Sequence, residues 1–156
     1  MDEGRKDFIC FLPLSLPHKI KIMANFKLTY TGDLRCKAVH LKSGSELITD
    51  APTDNMGKGE AFSPTDITAT SLGACMLSIV GISAQKNNYN IDGARAEVTK
   101  VMAANPRRIS EIVVDLYFPA NNYTEEQKKM IETAALHCPV AKSLHPDLVQ
   151  TVKFVW

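Results

Sequence analysis

The sequence predicts an α+β fold in which antiparallel sheets pack around one central buried helix. Three observations carry that expectation. Segments of alternating polarity fall into two blocks, residues 26–49 and 94–118. Between them lies a helical segment that is apolar on almost every side. The order β-β-β-α-β-β-α-α-β also keeps strands in adjacent groups instead of alternating them singly with helices.

Taken in order, residues 26–30 alternate, and Thr31-Gly32-Asp33 turns the chain into a second strand at 35–41. Lys42-Ser43-Gly44-Ser45 then turns into a third at 46–49. Residues 50–61 are rich in Pro, Gly, Asn and Asp and read as a loop, of a length that is often functional inside a domain. Ser63 is an N-cap, Pro64 takes the first helical position, and Asp66 sets a carboxylate on the first-turn amides of a helix running to about Lys86. Its stretch 72–84 holds Leu72, Cys75, Met76, Leu77, Ile79, Val80 and Ile82. A helix apolar on every face must be buried on every face. The rest of the chain is too small to surround it, so a second subunit is the expected cover and a homodimer the expected state.

A hairpin follows: Ala94, Ala96 and Val98 alternate with Arg95, Glu97 and Thr99, Asn105-Pro106-Arg107 turns, and Ile112, Val114, Leu116 and Phe118 face inward. Thr124-Glu125-Glu126-Gln127 is a capping box, opening a helix with a stripe of Met130, Ile131, Ala134 and Ala135. Pro139 interrupts that helix, because the residue before proline avoids helical geometry. A short helix runs to about Leu144, His145-Pro146 ends it, and residues 149–156 form a closing strand.

The 156 residues suit one domain with a core of its own. Residues 1–22 read as a leader, disordered or non-native, before a single domain at 23–156. Asp2, Glu3 and Asp7 spoil the positive start that a signal peptide needs. Lys+Arg of 18 against Asp+Glu of 17 gives a net charge of +1, which removes the main argument for a nucleic-acid or anionic-membrane partner. No uninterrupted apolar run approaches the roughly 18 residues of a membrane span. The expected location is the cytoplasm, with thiols reduced at rest.

Four cysteines, Cys10, Cys36, Cys75 and Cys138, are no disulfide scaffold in a chain this long, and there is no CxxC pair. His40, His137 and His145 match no compact metal spacing with Cys138. Cys75, in mid-helix, is either a small core hydrophobe or a nucleophile. Cys138 stands just before Pro139 at a helix N-terminus, where the dipole favours the thiolate; it either reacts or fills a corner. The two readings separate on whether these sulfurs meet in space. Arg35 is either a solvated strand residue or a guanidinium that activates a thiol and holds an oxygen anion. Glu60 and Asp66 flank the start of the apolar helix and either could orient that arginine, although capping alone also accounts for Asp66.

Phe62-Ser63-Pro64-Thr65-Asp66, then Ser71-Leu72-Gly73-Ala74-Cys75-Met76, and later His137-Cys138-Pro139-Val140-Ala141-Lys142-Ser143-Leu144, resemble the two cysteine motifs of the OsmC/Ohr family. These are the osmotically inducible and organic-hydroperoxide-resistance proteins. The resemblance spans about residues 25–156, strand and helix order included. It implies an OsmC-like fold and an intertwined homodimer with sites at the subunit interface. It also implies a cysteine peroxidase, free of metal and cofactor, that acts on organic hydroperoxides and more weakly on hydrogen peroxide. In that reading Cys75 resembles the peroxidatic cysteine and Cys138 the resolving one, an external dithiol restores both, and Arg35 lies in the strand of the family's catalytic arginine. The chain departs from the pattern at Thr65, where many members carry glutamate. Asp66 and Glu60 are the candidates to replace it, Asp66 lying about 100° further round the helix. Two other functions compete: a dimer that holds a small hydrophobic ligand, and a redox sensor whose disulfide alters a partner's affinity. Turnover with a hydroperoxide and a dithiol separates the enzyme from both.

Overall fold

The computed structural model describes residues 23–156, so the leader expected at 1–22, with Cys10, lies outside the described residues. Two three-stranded sheets and three α-helices make up an α+β fold. The first sheet is an antiparallel meander of β1 (Phe26–Gly32), β2 (Arg35–His40) and β3 (Glu46–Asp50). A short 3-10 turn, Thr53–Asn55, lies in the loop leading to helix α1 (Pro64–Lys86). The second sheet holds β4 (Arg95–Ala104), β5 (Arg107–Tyr117) and β6 (Val149–Val155), with α2 (Glu125–Leu136) and α3 (Pro139–Ser143) between its last two strands.

One expectation fails here: β6 runs parallel to β5, so the second sheet is mixed. The reason is the α2–α3 crossover. A hairpin returns a strand antiparallel, whereas a helical crossover can bring it back in the same direction.

Helix α1 begins as the sequence requires. The Ser63 hydroxyl accepts the Asp66 amide, the Asp66 carboxylate accepts the Ser63 amide, and Pro64 fills the first turn. Its buried residues, Ala69, Leu72, Gly73, Met76, Val80 and Ala84, recur every three or four positions and so form one face. That face meets Val114, Ile112 and Leu116 of β5 and Ile131 and Ala135 of α2 in a continuous core. Gly73 sets the closeness: a Cβ there would lie 2.8 Å from Val98 Cγ2 and 3.5 Å from Ala96 Cβ on β4.

The helix is thus buried on one face by its own chain, which does not surround it; Ala74 and Ile82 stay exposed. By length and mean hydropathy α1 could cross a membrane, because the count of unbroken apolar residues overlooks how little its small Thr and Ser residues lower the average. Here it serves as the core helix. Among the described residues, none of β1–β3 joins the hydrophobic core, and Phe26, Leu28 and Tyr30 on one face of β1 are exposed.

Candidate active site

Two chain segments bring the thiols together. Cys75 sits on a half-buried flank of α1, packed against the core. Helix α2 closes at His137, and Pro139 holds the preceding residue extended (φ −65°, ψ 147°), so Cys138 becomes the N-cap of α3 and is fully buried. The Cys75 thiol lies near enough to Cys138 to raise its pKa, and both thiols are free. Their meeting in space is the condition on which the sequence left the two cysteines undecided.

The electrostatics of Cys138 run against the simple helix-end expectation. Burial pushes its thiol up from the ordinary value, the Ala141 amide donating to Sγ at 3.4 Å pulls it down, and contact with Cys75 pushes it up again. The sum is upward. A helix of five residues offers too few aligned amides to outweigh removal of the sulfur from water.

Arg35 is held elsewhere. Register pairs it with Asp50 across β2 and β3, and the guanidinium grips that carboxylate at both ends: Nε to Oδ1 at 2.6 Å and Nη2 to Oδ2 at 2.8 Å. Nη2 also donates to Glu60 Oε2 at 2.6 Å. Asp50 is 2% exposed and also accepts the Glu60 amide at 3.0 Å, so one carboxylate fixes both the arginine and the loop beside it. Hydrogen bonds donated to Asp50, then to Glu60, hold the guanidinium firmly protonated. Reciprocally, the Arg35 hydrogen bond outweighs burial and keeps the Asp50 carboxyl below the usual range.

Of the two carboxylates the sequence suggested, only Glu60 reaches Arg35. Asp66 does not. Its carboxylate caps α1 and pairs with Lys100 Nζ at 2.6 Å, while Lys100 also donates to Thr65 Oγ1 at 2.7 Å and Ser63 Oγ at 3.1 Å. Burial pulls the Asp66 carboxyl up, but Lys100 and Ser63 together hold it below its ordinary range. Within one chain the hydrogen bonds of Arg35 go to Asp50 and Glu60, and none goes to Cys75.

Lys100 and Asp50 are the residues that sequence reading missed. Lys100 shares the inward side of β4 with Val98, and its alternation with apolar neighbours was the available sign. Asp50 gave no such sign: the sequence places it in the loop at 50–61, and only the register of β2 and β3 sets it opposite Arg35.

Two hollows flank this region. A cleft of about 400 Å³ lies between Glu60, Phe62, Asp66, Ala69, Thr70 and Lys100. An apolar cavity of about 350 Å³ is walled by Tyr30, Leu34, Cys36 and Met102, with Arg107 at its edge. His40 Nδ1 bonds Ser43, His137 Nδ1 bonds the Thr133 carbonyl, and His145 faces Asp147, so the three histidines serve separate local contacts.

A family profile described as OsmC-like protein matches residues 57–153. Among solved structures, a Psychrobacter arcticus 273-4 protein, provisionally named as an osmotic stress induced and detoxification response protein, is 52% identical. It covers 88% of this chain and 99% of its own, with a TM-score of 0.83. The organic hydroperoxide resistance protein OsmC of Legionella pneumophila shares the fold at 13% identity, covering 84% and 95% of the two chains with a TM-score of 0.68. OhrB of Bacillus subtilis, an organic hydroperoxide resistance protein, does so at 14% identity, covering 86% and 98% with a TM-score of 0.58. Comparison with curated proteins gives no match.

Proposed function

This chain belongs to the OsmC-like protein family, and on that premise we propose that it is a thiol-dependent peroxidase of organic hydroperoxides. The observation that carries the proposal is the proximity of Cys75 and Cys138, which share one core cluster, Cys75 lying near enough to push the Cys138 thiol up. The names of the Legionella pneumophila and Bacillus subtilis proteins add support, both being organic hydroperoxide resistance proteins.

In the proposed cycle the Cys75 thiolate attacks the terminal peroxide oxygen. The O–O bond breaks, an S–O bond forms, and the alkoxide leaves as an alcohol after taking a proton. Cys75 is then a sulfenic acid. The Cys138 sulfur displaces the hydroxyl as water, forming a Cys75–Cys138 disulfide. An external dithiol reduces that bond by exchange and is itself oxidised. A thiol among apolar groups needs a cation to react at neutral pH. Arg35 is the proposed cation, meeting the thiols across the interface of an intertwined homodimer, with Glu60 and Asp50 as its carboxylates and Asp66 left as the helix cap. The exposed flank of α1 and the uncovered apolar face of β1 are what support such a dimer.

A second reading, a dimer that binds a small hydrophobic molecule with slow thiols, draws on the apolar cavity beside Cys36. The test is mass analysis after one equivalent of cumene hydroperoxide. Peroxidase chemistry predicts loss of two hydrogens and a peptide linking Cys75 to Cys138. Thiols that stay reduced overturn it and leave the ligand-binding reading.

A further inference from the structure

We infer that Asp50 is the positioning residue of the peroxidatic site: it fixes the Arg35 fork, while Glu60 is an exchangeable counterion. The inference rests on the proposed role of Arg35 and goes beyond it, because the family pattern pointed to a carboxylate next to Pro64, where this chain has Thr65.

The two carboxylates around Arg35 differ in kind. Asp50 takes two parallel hydrogen bonds from Nε and Nη2, a geometry that fixes the plane of the guanidinium as well as its position. It is 2% exposed and further tied down by the Glu60 amide, so it cannot turn away without leaving a buried charge unpaired. Glu60 makes one contact, through Nη2, and its side chain is 63% exposed. A solvated single contact of this sort breaks at little cost. Among the described residues Nη1 makes no hydrogen bond, so it is free for a peroxide oxygen, and displacement of Glu60 frees one side of Nη2 as well. Asp50 also holds the backbone at Glu60, so the counterion returns to the same place after each turnover.

The experiment compares single-turnover oxidation of Cys75 by cumene hydroperoxide in Arg35→Met, Asp50→Asn, the double variant, and Arg35→Lys. Arg35→Met is expected to slow oxidation at least about tenfold. Asp50→Asn should do nearly the same, and the double variant should be no slower than Arg35→Met alone, because a residue acting through another adds nothing once that partner is gone. Arg35→Lys keeps the charge but cannot make the fork, and it leaves the buried carboxylate in place should Asp50→Asn fail to fold. It too should be slow. A fast Arg35→Lys, or losses from Asp50→Asn and Arg35→Met that multiply in the double variant, overturns the role of Asp50 and leaves Arg35 as the cation. A fast Arg35→Met overturns both.

Discussion

At Cys138 two opposing effects meet, and their sum sets a pH dependence. Burial raises the thiol, the Ala141 and Val140 amides lower it, and the rise prevails. The thiolate is therefore scarce at neutral pH. Disulfide formation after one equivalent of peroxide should climb by about tenfold per pH unit up to and beyond the ordinary thiol value near 8.5. Stopped-flow fluorescence or quenched mass analysis reads this rate, and a flat profile above pH 7 contradicts it. Cys75→Ser should abolish peroxide consumption, whereas Cys138→Ser should permit a first oxidation, block dithiol-supported turnover and expose Cys75 to overoxidation. Undiminished turnover by both variants excludes the mechanism. Asp66→Asn keeps an oxygen for the Ser63 amide but loses the Lys100 ion pair and the charge at the helix start. It is expected to lower stability by up to about 1 kcal/mol, without the slowing seen for Arg35→Met. The carboxyl of Asp50 lies below its unfolded value, so its stabilisation is present above about pH 4 and is lost as pH falls through its folded value. Local geometry left each thiol open between packing and reaction, and only the family resemblance joined them, because separation along the chain does not show whether two sulfurs meet. Asp50 was not legible: ahead of Ala51-Pro52 it reads as a turn former, and only strand register shows that it faces Arg35. Asp66 misled because nearness in sequence to Thr65 says nothing of which cation its carboxylate meets, and Lys100 claims it.

At the scale of elements, α1 positions Cys75 only because it lies close to β4. Gly73 makes that approach possible, two positions before the thiol on the same helix. Gly73→Ala places a methyl group 2.8 Å from a branched valine carbon that cannot swing aside. Overpacking of this kind costs about 1–3 kcal/mol, against a gain of up to about 1 kcal/mol from better helix propensity. The expected net is a loss of about 1 kcal/mol or more, measured by urea denaturation; a more stable variant means that α1 and β4 can separate freely. Helix α1 itself was easy to read, since its cap, proline and apolar stretch agree. The parallel placement of β6 was harder. The two helices of the crossover were visible, but periodicity reports which residues face a core, not the direction in which a strand returns.

For the whole molecule, the first sheet poses the question of what covers it. Phe26, Leu28 and Tyr30 alternate along β1 and therefore share one side, where Leu28 pairs with Ala38 and Ala38 with Leu47. Leu28 is 69% exposed in the single chain, and this sheet contributes nothing to the core among the described residues. The outward flank of α1, with Ala74 and Ile82, is also uncovered. Two apolar surfaces on different elements of one chain suit an interface in which each protomer's sheet wraps the other's helix. We expect an obligate homodimer burying well over about 2,000 Å² in total. Sedimentation should find no folded monomer at micromolar concentration in the wild-type protein. Leu28→Glu puts a charge at the centre of the apolar side and should shift the population toward monomer. Because Arg35 makes no hydrogen bond to Cys75 within one chain, peroxide oxidation of Cys75 should fall in step with the dimer fraction, not independently of it. A Leu28→Glu monomer that keeps the wild-type oxidation rate means that a single chain completes the site, and that Arg35 reaches Cys75 without a partner or is not the cation that activates it.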